Sequence, residues 1–212
     1  MYKRQTIIAE PIERGFGVTI GNSLRRILLS SIQGPAITKV KIDGVQHEFS
    51  TIDGVKEDVA DIIMNLKKVR FKLMDSAPDK VTLSIKGKKS FTAQDIQNAS
   101  DQFEVLNPGE YITEVNSKGK LDIELRIGIG KGYVPSEAND MPNLSVGTLS
   151  IDSIFNPVTN VTFNVQPVPG AKDPIEILSL HVTTDGSITA KDAVSYTATY
   201  LREHFKLSLI HI

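Results

Sequence analysis

The sequence predicts an α+β fold built on antiparallel sheet, and three observations carry that prediction. Several segments alternate apolar and polar residues at the period of a half-buried strand. Three other stretches place apolar residues at helical spacing, near the beginning, in the first third and at the end. The helices do not alternate regularly with the strands, which argues against a parallel βαβ sheet.

In chain order, the first helix is expected over about Asn22–Ser31, with Asn22 as its N-cap. Val40 and Ile42 then alternate with Lys39, Lys41 and Asp43 as a strand. A second helix is expected from near Asp53, carrying Val55, Val59, Ile62, Ile63 and Leu66. Lys67 and Lys68 follow it, where cations favour a helix C-terminus. Val69, Phe71 and Leu73 face Val81, Leu83 and Ile85 across the turn Asp75-Ser76-Ala77-Pro78-Asp79. Leu121, Ile123, Leu125, Ile127 and Ile129 make the clearest strand, and Val161, Phe163 and Val165 another. Gly132–Asn143 and Pro167–Pro174 are expected as surface loops. After the Asp185-Gly186 turn, Thr189 with Asp192 three residues later starts the third helix like a capping box.

Composition narrows the function classes. With 40% hydrophobic and 23% charged residues, the 212-residue chain can bury a substantial core. It has no cysteine, so disulfides, zinc thiolates and thiol nucleophiles are excluded, which suits a reducing cytosol. The apolar runs are too short to span a bilayer, and no secretory signal pattern opens the sequence. Lys+Arg 24 against Asp+Glu 25 leaves a formal charge of -1. A protein holding nucleic acid by its own phosphate contacts usually shows a basic excess. Any service to DNA or RNA is therefore expected through partners, leaving room for a small basic patch.

The segment Glu10–Ser31, EPIERGFGVTIGNSLRRILLSS, is the most informative. Gly15, Gly17 and Gly21 permit backbone geometries and close approaches that a Cβ obstructs. Spaced at 100°, Leu24, Ile27, Leu28 and Ser31 share one arc, and Arg26 lies nearly opposite with Leu29 and Ser30 beside it. A guanidinium beside an exposed leucine suits a protein interface, although a solvated arginine on an ordinary amphipathic helix is the blander alternative. A phosphorylated-ligand enzyme is a second alternative, but the glycine spacing fails the phosphate-binding loop and Asn22 stands where its lysine belongs. Gly128-Ile129-Gly130-Lys131-Gly132 ends a strand and runs into Tyr133-Val134-Pro135 rather than a helix, so a dinucleotide fingerprint fails too and a glycine-rich strand end or bulge is expected. His47, His181, His204 and His211 show no metal-ligand spacing. His47-Glu48, read as strand neighbours, point to opposite faces and make no acid–base pair. No nucleophile, base and oxyanion site assemble.

Glu10 through Leu66 closely resembles the alpha subunits of bacterial RNA polymerase. Its strongest text is the quoted segment and HEFSTIDGVKED from His47 to Asp58. KGYVP at 131–135, SIDSIFNPV at 150–158 and TTDGSITAKDAV at 183–194 extend the likeness along the chain.

That resemblance implies a discontinuous dimerisation domain over 1–34 and 156–207, made of antiparallel sheet plus helices, with an inserted, mostly β domain over 35–155. It implies a homodimer formed through the first and last helices, using Phe16, Ile20, Ile27, Tyr196, Tyr200, Leu201 and Phe205. By periodicity alone, Ala193, Tyr196, Thr197, Tyr200, Leu201 and His204 form one stripe that is either core or seam.

The dimer is then expected to recruit beta and beta-prime, the large subunits that carry the active-site magnesium. This chain is expected to be non-catalytic and cofactor-free, cytoplasmic or in a plastid stroma, and in touch with DNA only indirectly. Arg26 is the implied beta-subunit contact, helped by Arg25, Leu29 and Ser30, and by His47, Glu48, Phe49, Thr51, Gly54, Glu57 and Asp58. Three departures from the family stand out. A preceding strand of the dimerisation sheet is expected to be missing. Met1–Gln5 and a 208–212 tail do not read as family sequence. Val168–Pro174 replaces a stretch richer in Arg and Glu.

Overall fold

A computed structural model describes residues 3–74, 80–87, 89–139 and 147–210. In chain order the elements are β1 (Lys3–Glu13), α1 (Phe16–Ser30), β2 (Gln33–Ile42), α2 (Val59–Leu66), β3 (Phe71–Leu73) and β4 (Val81–Lys86). There follow β5 (Lys89–Thr92), α3 (Ala93–Gln97), β6 (Phe103–Val105), β7 (Tyr111–Val115), β8 (Lys120–Lys131) and β9 (Tyr133–Val134). After a 3₁₀ turn at Ser136–Asn139 come β10 (Thr148–Ser150), β11 (Ser153–Ile154), β12 (Val158–Pro167), β13 (Ile175–Thr184) and α4 (Ala190–Ile210). The class is α+β, with antiparallel pairing throughout the assigned ladders. The chain divides into two compact units, 1–33 with 156–212, and 34–155.

In the first unit β13 lies between β1 and β12. Along β13, Leu178, Leu180, Val182 and Thr184 are buried while their neighbours are half-buried, the period of a strand covered on one face. The covering comes from Leu28 of α1, Ile32 just beyond that helix, and Ala190 and Ala193 of α4, which join Val158, Val161, Leu180 and Val182 in one core. Leu28 is fully buried, and truncating a leucine in such a place costs about 2–5 kcal/mol.

In the second unit a four-stranded sheet runs β10-β2-β8-β4. Leu121, Ile123, Leu125 and Ile127 of β8 all point into its core, as the alternation predicts. Val59, Ile62, Ile63 and Leu66 cover that core from α2, and Phe71 meets Phe103 edge to face with centroids 5.3 Å apart.

Several expectations are corrected. The first-unit sheet does have a strand ahead of α1: Lys3 to Glu13 pairs with β13, with a register shift between Ala9 and Ile12. Its residues are mostly exposed, so edge pairing rather than a buried stripe holds it, and alternation could not reveal it. That strand also includes Lys3–Gln5, part of the stretch set apart as foreign. At the other end α4 continues to Ile210, so the 208–212 tail is helical up to that residue and its last two residues lie outside the described ones.

The first helix begins at Phe16, not Asn22, with Gly15 in the left-handed region (φ 89°) as its N-cap. The second begins at Val59, because Asp58 is the residue that caps it, accepting the Asp61 amide at 2.8 Å. Val55 instead bridges to Val115. β3 pairs with β6, and β4 with β8, so the expected hairpin between β3 and β4 does not form. Its turn, 75–79, lies outside the described residues. Within Gly132–Asn143 the chain forms β9 and the 3₁₀ turn, and 140–143 lie outside the described residues.

Candidate functional site

Three sets of side chains were singled out from the sequence, and α1 carries the first. Gly17 and Gly21 are buried one helical turn apart and let α1 lie directly on the sheet. A Cβ on Gly17 would come within 2.7 Å of Val165, and one on Gly21 within 2.7 Å of the Phe163 ring and 3.0 Å of Leu178. Leu24 and Leu28 continue the same inward stripe. The Gly17 amide, an orphan donor of the first turn, donates to the Glu176 carboxylate at 3.2 Å. At the other end Asn156 Nδ2 donates to the Leu29 carbonyl at 2.9 Å and to that of Val158 at 2.8 Å, tying the last turn to the start of β12.

This seating fixes what faces outward. Arg26 is exposed, and its side chain makes no hydrogen bond or ion pair among the described residues. Arg25 is also exposed, with Nε donating to the Val161 carbonyl at 3.2 Å. The Ser30 hydroxyl donates back to the Arg26 carbonyl at 2.8 Å, bonding within its own helix. Leu29 corrects an expectation. It is half-buried and packs against the first unit's core, so it is not the fully exposed leucine expected beside Arg26. Phe16, Val18 and Ile20 are the exposed apolar residues of α1, at 53%, 58% and 38%, and Ile27 is half-buried.

The second set lies on α4. The Thr189 hydroxyl donates to the Asp192 carboxylate at 2.7 Å and accepts the Asp192 amide at 3.1 Å, which starts the helix. The expected stripe divides. Ala193 and Thr197 are buried, Tyr200 and Leu201 are half-buried, and Tyr196 and His204 are exposed, with Phe205 beside them at 67%. The rings of Tyr196, Tyr200 and His204 stack in succession along the helix, at 6.3 Å and 4.1 Å.

The third set, His47–Asp58, belongs to the second unit and is not a strand. His47–Ser50 is a turn, with the Ser50 amide donating to the His47 carbonyl at 3.2 Å and the Ser50 hydroxyl 3.1 Å from His47 Nδ1. His47, Glu48 and Thr51 are exposed, and Phe49 is 81% exposed. Phe49, Ala60, Ile63 and Met64 line an open groove of about 270 Å³ with Lys67 and Asp152 at its rim. Those two form an ion pair at 2.9 Å. The hydrogen bond from Lys67, helped by the Ser136 amide, holds the Asp152 carboxyl below the usual carboxylate range. Met64, Lys67 and Asp152 were missed as groove residues. The only signal for Met64 was its position on the outward side of an amphipathic helix.

Gly54 and Glu57 are anchors within this unit. Gly54 has φ 80°, and its Cα side faces Gly119, where a Cβ would approach to 2.5 Å. The Glu57 carboxylate accepts the Tyr111 hydroxyl (2.7 Å), the Thr113 hydroxyl (2.7 Å) and the Glu114 amide (3.0 Å). Burial pushes the Glu57 carboxyl up, but these three bonds and the nearby Lys56 charge outweigh it and leave its pKa below the ordinary value. Desolvation and the bond to Glu57 push the Tyr111 phenol up to about 12. Asp58, the cap of α2, is likewise engaged within its own unit.

The structure thus brings the α1 and α4 sets together in the first unit and places the third set in the second. Among the described residues no group of three or more His, Asp or Glu side chains converges as a metal site, and no helix is long and apolar enough to cross a membrane. Gly128 and Gly130 lie near the end of β8, where a Cβ would press on the Thr38 side chain at 2.8 Å and on the Phe155 ring at 2.6 Å.

Residues 40–156 match the family model for the RNA polymerase Rpb3/RpoA insert domain. The chain belongs to the RNA polymerase alpha-subunit family. It is 50% identical over 195 residues to the DNA-directed RNA polymerase subunit alpha of Salinibacter ruber, covering 92% of this chain and 60% of that protein. The alpha subunit of Chloroherpeton thalassium is 49% identical over 201 residues, covering 94% of this chain and 61% of its own. That of Chlorobium phaeobacteroides strain BS1 is 47% identical over 206 residues, covering 97% and 63%. The chain spans about three fifths of the length of these curated alpha-subunit relatives. The insert-domain match falls almost wholly on the second unit.

Proposed function

We propose that this chain is a non-catalytic assembly subunit of a DNA-directed RNA polymerase, which homodimerises through its first unit and then recruits beta and beta-prime. In this reading 1–34 with 156–207 is the dimerisation domain and 35–155 the insert. The observation that carries it is the set of apolar side chains left open on α1 and α4: Phe16, Val18, Ile20, Tyr196 and Phe205 are between 38% and 67% exposed. Contiguous exposed apolar surface on a monomer marks an interaction site, and two copies of one patch satisfy a two-fold interface. Ile27, Tyr200 and Leu201 complete the seam.

Arg26 is the proposed beta anchor, its guanidinium without a hydrogen bond or ion pair among the described residues, with Arg25, Ser30 and Leu29 around it. His47, Glu48, Phe49 and Thr51 offer a second contact, which Gly54, Glu57 and Asp58 support by holding the loop. Nucleotide chemistry and its magnesium belong to the large subunits, DNA is reached through the holoenzyme, and the location is cytoplasmic. Arg26→Ala tests the assignment, with beta capture measured on immobilised chain and dimer mass measured in parallel. The expected result is an intact dimer whose beta affinity falls by about 2–5 kcal/mol. Unchanged beta capture would remove Arg26 from the interface.

A further inference from the structure

The groove beside α2 is made of parts that hold one another in place. The turn carrying Phe49 is tied to the start of the helix, since the Val59 amide donates to the Ser50 carbonyl at 3.1 Å. Asp58 caps that same helix start. Ile63 and Ile151 belong to the second unit's core and form the apolar floor. Ala60, half-buried, adds only a methyl there and leaves the cleft open. Met64 lines it at 56% exposure, and Phe49 is more exposed still. Single exposed apolar residues are ordinary on a protein surface, but two large ones lining one cleft have the form of an anchor pocket.

Charge is distributed unevenly around this cleft. Residues 47–61, which supply Glu48, Phe49 and Ala60, hold five carboxylates and one lysine. That lysine, Lys56, pairs with Glu114 at 3.8 Å. Glu57 and Asp58 are engaged within the unit. The Glu48 carboxylate, which lines the groove, is exposed and makes no hydrogen bond or ion pair among the described residues. At the other rim Lys67 is already paired with Asp152, so an incoming carboxylate would compete with a bond that exists. A cation arriving at Glu48 meets no such competitor, and the acidic surroundings attract it.

We propose that this groove receives one large apolar side chain of the beta subunit, with a lysine or arginine beside it in the beta chain to meet Glu48. The proposal rests on the beta-capture reading above and adds to it the chemistry of the segment that enters.

The test is capture of purified beta subunit on the immobilised full 212-residue chain, with Arg26→Ala measured in parallel. Met64→Ser removes one apolar wall. Ala60→Met fills the cleft, at a helical position where methionine is nearly as good a helix former as alanine. Each should lower beta affinity by about 10-fold or more, and Met64→Ser, at an exposed position, should keep the parent's urea midpoint. Glu48→Lys should lower affinity by about 5-fold at about 50 mM salt and by less at about 500 mM. Tyr133→Ser, at an exposed aromatic of the same unit that does not line the groove, should capture beta as the parent does. If Arg26→Ala weakens capture while Met64→Ser and Ala60→Met leave it unchanged, the groove is overturned and the assembly reading stands. Unchanged or tighter capture by Glu48→Lys overturns the proposal too, as does a loss in Tyr133→Ser equal to that in Met64→Ser. A parent chain that captures no beta overturns both readings.

Discussion

Gly21 shows how one missing side chain sets what a whole helix presents. A methyl there would press on the Phe163 ring at 2.7 and 2.9 Å and on Leu178 at 3.0 Å. Alanine is the better helix former by about 1 kcal/mol, but overpacking a close contact costs about 1–3 kcal/mol, and an aromatic ring wedged against a strand yields little. Gly21→Ala is therefore expected to lower stability in urea unfolding despite its helix propensity. Glu57 makes the opposite kind of contribution, through bonds rather than space. Its pKa is depressed in the folded state relative to the ordinary 4.5. The stability it adds is thus fully present above that ordinary value and is lost as pH falls through the lower folded one. Urea midpoints followed from neutral pH into acid should decline less steeply in Glu57→Gln than in the parent. The variant keeps part of the decline because Asp152 titrates with the same sign. At neutral pH the same substitution should cost about 1–3 kcal/mol, since a carboxamide cannot accept all three donors.

At the scale of elements, β13 is bonded on both sides, by β1 and by β12, over nearly its whole length. Hydrogen exchange should find its amides the slowest of the first unit, with the β1 amides that donate to β13 protected as well. Free exchange along 3–9 would contradict the strand assigned there. That strand also marks where sequence reading stops. β8, β12 and the start of α4 were legible, because alternation and the Thr189–Asp192 box are local signals that burial enforces on one face. β1 was not, since an edge strand with exposed residues on both faces has no alternation to detect. The early start of α1 was hidden by Gly17 and Gly21, poor helix formers that tertiary contact with Val165, Phe163 and Leu178 makes necessary. The pairing of β3 with β6 rather than β4 is a long-range choice that no local pattern records. The Glu57 network was invisible for the same reason, its donors lying more than fifty residues away. Arg26 was placed correctly on the outside of its helix, but the neighbouring Leu29 was not, because a shift in the inward stripe moves a flanking residue before it moves the opposite one.

At the scale of the molecule, each unit closes a core of its own, and the first leaves apolar residues of α1 and α4 open. A second copy would cover them. Light scattering on the purified chain across a dilution series measures this directly. The account predicts a mass twice the 23.2 kDa of one chain. A mass of one chain at every concentration would contradict it.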